Sequence, residues 1–108
     1  MEKGKIVLIP FPFTDLSQSK VRPCLILHST PKSEDCIVSF ISSVDHPHKN
    51  VFDVVVQPRK KNGLKSKSVV KVNKIATLQK KTIIGEIGTL ENDTLSLVDK
   101  KLKNLFKI

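Results

Sequence analysis

Arginine is almost missing from a chain that is otherwise strongly basic. Of 19 lysines and arginines, only Arg22 and Arg59 are arginines. A guanidinium holds two oxygens of one phosphate or carboxylate at once, which an ammonium cannot do. Arg22 stands where a polar segment, Asp15 to Lys20, passes through Val21-Arg22-Pro23 into the apolar run Cys24-Leu25-Ile26-Leu27. An arginine at the junction of an exposed loop and a buried strand either recognises phosphate or bridges a neighbouring carboxylate such as Asp15.

Other scarcities narrow the class. The early apolar run Ile6 to Pro10 is too short for a signal-peptide core or a membrane span, and no later run reaches bilayer length. The expectation is a cytoplasmic protein without membrane contact. Cys24 and Cys36, the two cysteines, lie in apolar runs with no Cys-x-x-Cys spacing, so buried, reduced thiols are expected and a zinc site is not. A chain of 108 residues reads as a single domain over residues 1–108, long enough to bury a core without staples.

Acidic residues are absent from one stretch. Residues 1–54 carry six bases and six acids, and residues 82–108 carry four of each. The net charge of +9 therefore resides between Arg59 and Lys81, where nine bases meet no acid. A field so concentrated suits a polyanion, nucleic acid first, although it also fits a merely solvated basic surface.

What is present is a series of short β-branched runs separated by turn residues. The pattern predicts strands over Lys5 to Ile9, ended by Pro10 and Pro12, over Pro23 to Ser29, Cys36 to Ser43 and Val51 to Gln57. Further strands are predicted over Ser68 to Val72 and Ile83 to Ile87, joined through Asn73 to Lys81. In the third strand, alternation puts Ile37, Ser39, Ile41 and Ser43 on one face and Val38, Phe40 and Ser42 on the other. Pro58 to Ser66 reads as a solvated basic loop turning at Asn62-Gly63. From Glu91 the period becomes helical, with Leu95, Val98, Leu102 and Leu105 on one side and Lys100, Lys101 and Lys103 facing out. The fold class expected is mainly β, a small barrel covered by a C-terminal α-helix.

No glycine-rich phosphate loop, Gly-x-Ser-x-Gly elbow or spaced carboxylate cluster for magnesium occurs, which disfavours ATP-driven and metal-dependent nuclease chemistry. No cofactor is expected, and Asp45, His46 and His48 form only a weak metal motif. RNA cleavage remains open, because the 2′-hydroxyl is an internal nucleophile. Such a reaction needs a proton removed, charge on the phosphorane neutralised and the leaving 5′-oxygen protonated. Arg22 suits the second task and Ser42 could add a hydrogen bond. His46 or His48 titrates in a suitable range but could equally be a bystander.

Taken in order, Gly4-Lys5-Ile6-Val7, the loop into Val21-Arg22-Pro23, Ile41-Ser42, Ser68-Val69-Val70-Lys71-Val72-Asn73, Ile87-Gly88-Thr89-Leu90 and Val98-Asp99 resemble the MazF/PemK-type toxins over essentially the whole length. That resemblance implies an SH3-like barrel and a homodimeric toxin of a type II toxin–antitoxin pair. It further implies metal-independent, sequence-specific cleavage of single-stranded mRNA and an acidic, partly disordered cognate antitoxin laid over the basic groove. By the same resemblance Arg22 and Ser42 are the expected catalytic residues. Ser17, Gln18, Ser19, Lys20, Ser43, Asp45, His46, His48, Lys49, Lys71 and Asn73 are the expected RNA-binding residues. The PemK branch carries an arginine and an aspartate where this chain has Lys71 and Asn73, and an amide cannot serve as a base. The competing class is a binder without chemistry: a nucleic-acid-docking barrel, or a toxin of this fold directed at a protein such as DNA gyrase.

Overall fold

The computed structural model describes residues 2–11, 20–44 and 50–108, with Phe11 described by its backbone only. Its elements are β1 (Lys5–Phe11), β2 (Lys20–Ser29), β3 (Asp35–Ser43), β4 (Asp53–Val56), β5 (Ser68–Gln79), a 3-10 turn (Lys80–Thr82), β6 (Gly85–Thr89) and α1 (Asn92–Phe106). All strand pairs are antiparallel, in the order β4-β5-β3-β2-β1-β6. The sheet curls into a half-barrel with the helix against it, as the alternating pattern and the terminal change of period imply.

Apolar side chains fill both faces. Ile6, Leu25, Ile41, Val54, Val56, Val70 and Val72 lie inside the curl, where α1 adds Val98 and packs Leu95 and Leu102 against them. On the opposite face Val7, Ile9, Cys24, Ile26, Cys36 and Val38 form a second cluster, flanked by Phe40, Ala76, Leu78 and Ile83. Burying apolar area on both sides at roughly 25 cal/mol per Å² makes these strands the stable frame of the molecule. Cys24 and Cys36 are free and buried. Burial, with Cys36 nearby, pushes the Cys24 thiol up to about 12.

Several strand boundaries differ from the sequence pattern, and those of β1, β2 and β5 do so for identifiable reasons. Pro10 does not end β1, which runs on to Phe11: Pro10 pairs with Val21, and Pro23 pairs with Leu8 inside β2. Each proline sits where one neighbouring strand has dropped away. β6 accompanies β1 only from Lys5 to Leu8, and β3 accompanies β2 only from Cys24 onward. The missing N–H therefore costs no ladder bond. The span Asn73 to Lys81 is not a connection but mostly the second half of β5. Its register on β3 jumps from Ile75 opposite Ser39 to Lys71 opposite Phe40, leaving Val72, Asn73 and Lys74 as a bulge. That bulge bends one strand between two stretches of partner. Ser39 Oγ donates to the Val72 carbonyl at 3.3 Å inside the bend. β4 is shorter than expected, and β6 begins two residues later than expected.

The helix presents Leu95, Val98 and Leu102 inward as predicted, while Leu105 is half-buried and outside the core cluster. Lys3 pairs with Asp99 at 2.7 Å and Lys101 Nζ donates to the Val51 carbonyl at 2.6 Å, so Lys101 is not simply outward-facing. Among the described residues, no helix is long and apolar enough to cross a membrane.

Candidate nucleic-acid interface

Where β2 and β3 stop pairing, the sheet opens. Their last pair in this direction is Cys24 with Phe40, next to Pro23. Beyond it Arg22 still pairs with Ile9 on β1, and Ser42 still pairs with Val69 on β5. Carrying the β2–β3 register two residues further sets Arg22 opposite Ser42. Side-chain alternation then defines two rows on the Cys24 face. One runs Asp53, Lys71, Phe40, Cys24 and Val7; the next runs Val55, Val69, Ser42, Arg22 and Ile9. The two residues expected to be catalytic thus share a row at the splayed end of the sheet, both half-buried.

Beside them lies an open cavity of about 750 Å³. Leu8, Ile41 and Ile87 supply apolar lining, and Lys20, Arg22, Ser43, Lys65, Ser66 and Ser68 supply cations and hydroxyls. Ser43 follows Ile41 to the cavity side, while Ser42 is not among the lining residues. Arg22 is thus shared by the row and the cavity rim. Lys20 and Ser43 are placed at this site as expected, both exposed.

Lys71 is on the neighbouring row, with its ammonium 3.0 Å from Asp53 Oδ2. Asn73 lies in the β5 bulge, half-buried, a member of neither row and not among the residues lining the cavity. Ser17, Gln18, Ser19, Asp45, His46, His48 and Lys49 lie outside the described residues.

The far wall of the cavity belongs to the basic loop, which is held by a side chain that sequence pattern does not mark as structural. Asn62 is fully buried. Its Oδ1 accepts from the backbone N–H groups of Arg59 (3.1 Å) and Leu64 (3.0 Å), and its Nδ2 donates to the Gln57 carbonyl (2.9 Å) and to Glu91 Oε1 (3.1 Å). Gly63 follows at φ +73°, where a Cβ would fall 2.0 Å from the Ile87 carbonyl oxygen. The Asn62-Gly63 pair signals the turn; nothing local announces its burial against a glutamate 29 residues away. Around this anchor Arg59, Lys60, Lys61, Lys65 and Lys67 are exposed. The lysines are thus held on a fixed loop, with Lys65 at the cavity.

Residues 2–106 match the family described as PemK-like, MazF-like toxins of type II toxin–antitoxin systems. No curated protein matches the chain. Among solved structures it is similar to the Mycobacterium tuberculosis toxin MazF-mt6, at 22% identity and TM-score 0.74 over 96% of this chain and 97% of that one. It is similar to a MazE-MazF crystal structure from Deinococcus radiodurans, at 19% identity and TM-score 0.81 over 100% and 96%. A mycobacterial endoribonuclease in complex with its cognate antitoxin matches at 16% identity and TM-score 0.77 over 100% and 96%.

Proposed function

Because the chain belongs to the family of PemK-like, MazF-like toxins of type II toxin–antitoxin systems, we propose that it is a metal-independent endoribonuclease that cuts single-stranded mRNA at a short sequence. The observation that carries this reading is the shared row of Arg22 and Ser42 at the splayed sheet end, beside a cavity rimmed by Lys20, Ser43 and Lys65. RNA phosphate at this row meets the guanidinium fork and a hydroxyl donor.

In the reaction the ribose 2′-oxygen loses its proton and bonds to phosphorus, the bond from phosphorus to the 5′-oxygen breaks, and that oxygen takes up a proton. Arg22 holds two phosphoryl oxygens as charge grows on the phosphorane, and Ser42 donates a hydrogen bond to the same group. Arginine stays protonated throughout, so the protons pass through other groups or water. The cavity, with apolar lining and hydroxyl edges, accepts the neighbouring base and supplies sequence preference. The toxin acts in the cytoplasm as a homodimer and is neutralised by an acidic antitoxin segment, for which the fixed basic loop provides a complementary surface. The antitoxin-bound neighbours support that partner class.

Purified protein incubated with single-stranded RNA in EDTA should leave 2′,3′-cyclic phosphate or 3′-phosphate ends and 5′-hydroxyl ends. Cleavage that needs added divalent metal sinks the mechanism. RNA binding with no cleavage under any condition gives the site to a binder, the reading that Asn73 favours because it offers an amide where the PemK branch has a carboxylate.

A further inference from the structure

Asp53 is an unusual residue for an exposed sheet edge. It opens β4, a strand that among the described residues pairs only with β5, yet its side chain is only 7% exposed. Its Oδ2 accepts from Lys71 Nζ at 3.0 Å and from the Asn50 backbone N–H at 3.1 Å, while its Oδ1 is buried with no partner among the described residues. Burying a carboxylate with one oxygen unsatisfied is unfavourable, so the turn alone should not require it. The turn also has hydrogen bonds that do not use this carboxylate. The Asn50 carbonyl already receives the Asp53 N–H at 3.0 Å, and Asn50 Oδ1 receives the Phe52 N–H at 2.8 Å.

The remaining consequence of Asp53 is where it holds Lys71. Lys71 lies opposite Phe40, one same-face step from the Val69–Ser42 pair. Two residues along a strand span about 7 Å, and the two inter-strand spacings from β5 across β3 to β2 span about 10 Å. A single-stranded backbone with phosphate at Arg22 and Ser42 therefore brings a flanking phosphate over Lys71. An ammonium has three donors, and one is directed to Asp53, which fixes the side chain while leaving two for an anion. A free lysine there loses rotamer entropy on each binding event; a tethered one has already lost it.

We propose that Asp53 is a positioning residue that fixes the Lys71 ammonium as the anchor for a phosphate flanking the scissile one, so that RNA crosses the strands from β2 toward β4. This anchor rests on the endoribonuclease reading above for the placement of the first phosphate.

The test uses full-length protein and single-stranded 2′-O-methyl RNA, which binds but offers no 2′-hydroxyl, so binding is measured apart from cleavage. Lys71→Met should weaken binding about tenfold and lower the log–log salt slope by about one unit. Asp53→Asn removes a negative charge beside the RNA and should nonetheless weaken binding severalfold, with the salt slope unchanged because the cation is still present. In the Lys71→Met background, Asp53→Asn should no longer weaken binding. Tighter binding by Asp53→Asn overturns the proposal, because Asp53 would then only neutralise Lys71. An equal loss in both backgrounds also overturns it, assigning Asp53 to the turn. Should Asp53→Asn not fold, an unchanged salt slope in Lys71→Met refutes the anchor by itself. A wild type that binds in this pattern but cleaves no unmodified RNA would refute the endoribonuclease reading and leave the anchor standing.

Discussion

Asn62 and Glu91 join the basic loop to the start of the helix through one partly buried hydrogen bond, 3.1 Å from Nδ2 to Oε1. Glu91 Oε2 has no partner among the described residues, so the carboxylate depends on this amide. Asn62→Ala leaves the Arg59 and Leu64 N–H groups, the Gln57 carbonyl and Glu91 Oε1 without their partner. At roughly 1–3 kcal/mol for a buried group left unsatisfied, and with water entering to relieve some, the expected loss is about 3 kcal/mol. Urea denaturation measures it. A loss below about 1 kcal/mol would mean the loop is held by backbone hydrogen bonds alone, such as Thr89 N–H to the Lys61 carbonyl at 2.9 Å.

Ser42 shares the Arg22 row, whereas Ser43 faces the cavity. Arg22→Lys keeps the charge but loses the planar fork, so cleavage should fall by on the order of a hundredfold while RNA affinity and stability hold. Ser42→Ala should lower the single-turnover rate by about tenfold, because Ser42 lies on the Arg22 row. Ser43→Ala, on the cavity side, should instead change which sequences are cut. Single-turnover rates and product mapping on a mixed-sequence RNA read both effects. Arg22→Lys cutting at the wild-type rate would return Arg22 to a structural or point-charge role.

How much of the fold is legible in the sequence depends on how local each signal is. β2, β3 and the helix follow directly from alternation and from Leu95, Val98 and Leu102, because two-sided burial and helical spacing are patterns within one segment. β5 reads as two pieces, since Asn73 and Lys74 interrupt the apolar alternation and a bulge looks like a loop until its partner strand is in place. Pro10 and Pro23 look like strand ends for a related reason: whether a proline is tolerated depends on which neighbour is missing at that level. Arg22 stands out through its rarity and its place at a loop–strand junction. Asp53 and Asn62 give no such signal, because their partners Lys71 and Glu91 are 18 and 29 residues away.

The second apolar cluster makes a pH prediction. Burial raises the Cys24 thiol from 9.0 to about 12, so the folded state holds its proton while the unfolded chain releases it. The unfolded state then binds fewer protons, and stability falls as pH rises. The contribution of Cys24 is fully present below about pH 9 and is lost progressively between 9 and 12. Denaturation between about pH 8 and 11 should therefore show a steeper decline for wild type than for Cys24→Ala, whose cavity penalty does not vary with pH. Parallel curves would mean that burial does not hold the proton on this thiol. Native Cys24 should also resist thiol reagents at about pH 8, because both access and thiolate are lacking.

The lysines of the basic loop separate electrostatic attraction from chemistry. Lys60, Lys61, Lys65 and Lys67 are exposed and are carried on a loop that Asn62 fixes from beneath, so replacing all four with glutamine should leave the fold intact. If the loop meets phosphate, RNA affinity falls and its salt dependence flattens, by up to about one unit of log–log slope for each phosphate that no longer meets a cation. Lys65 lies at the cavity beside Arg22 and Ser43, whereas Lys60, Lys61 and Lys67 do not line it. Lys65→Gln alone should therefore account for more of the change than any of the other three. Single-turnover cleavage at saturating RNA should change little in any of these variants, since the loop attracts substrate without meeting the charge that develops on phosphorus. A salt slope unchanged in the fourfold variant would make the loop a solvated surface. The RNA path would then be confined to Lys20, Arg22, Ser42 and Lys71 on the sheet itself.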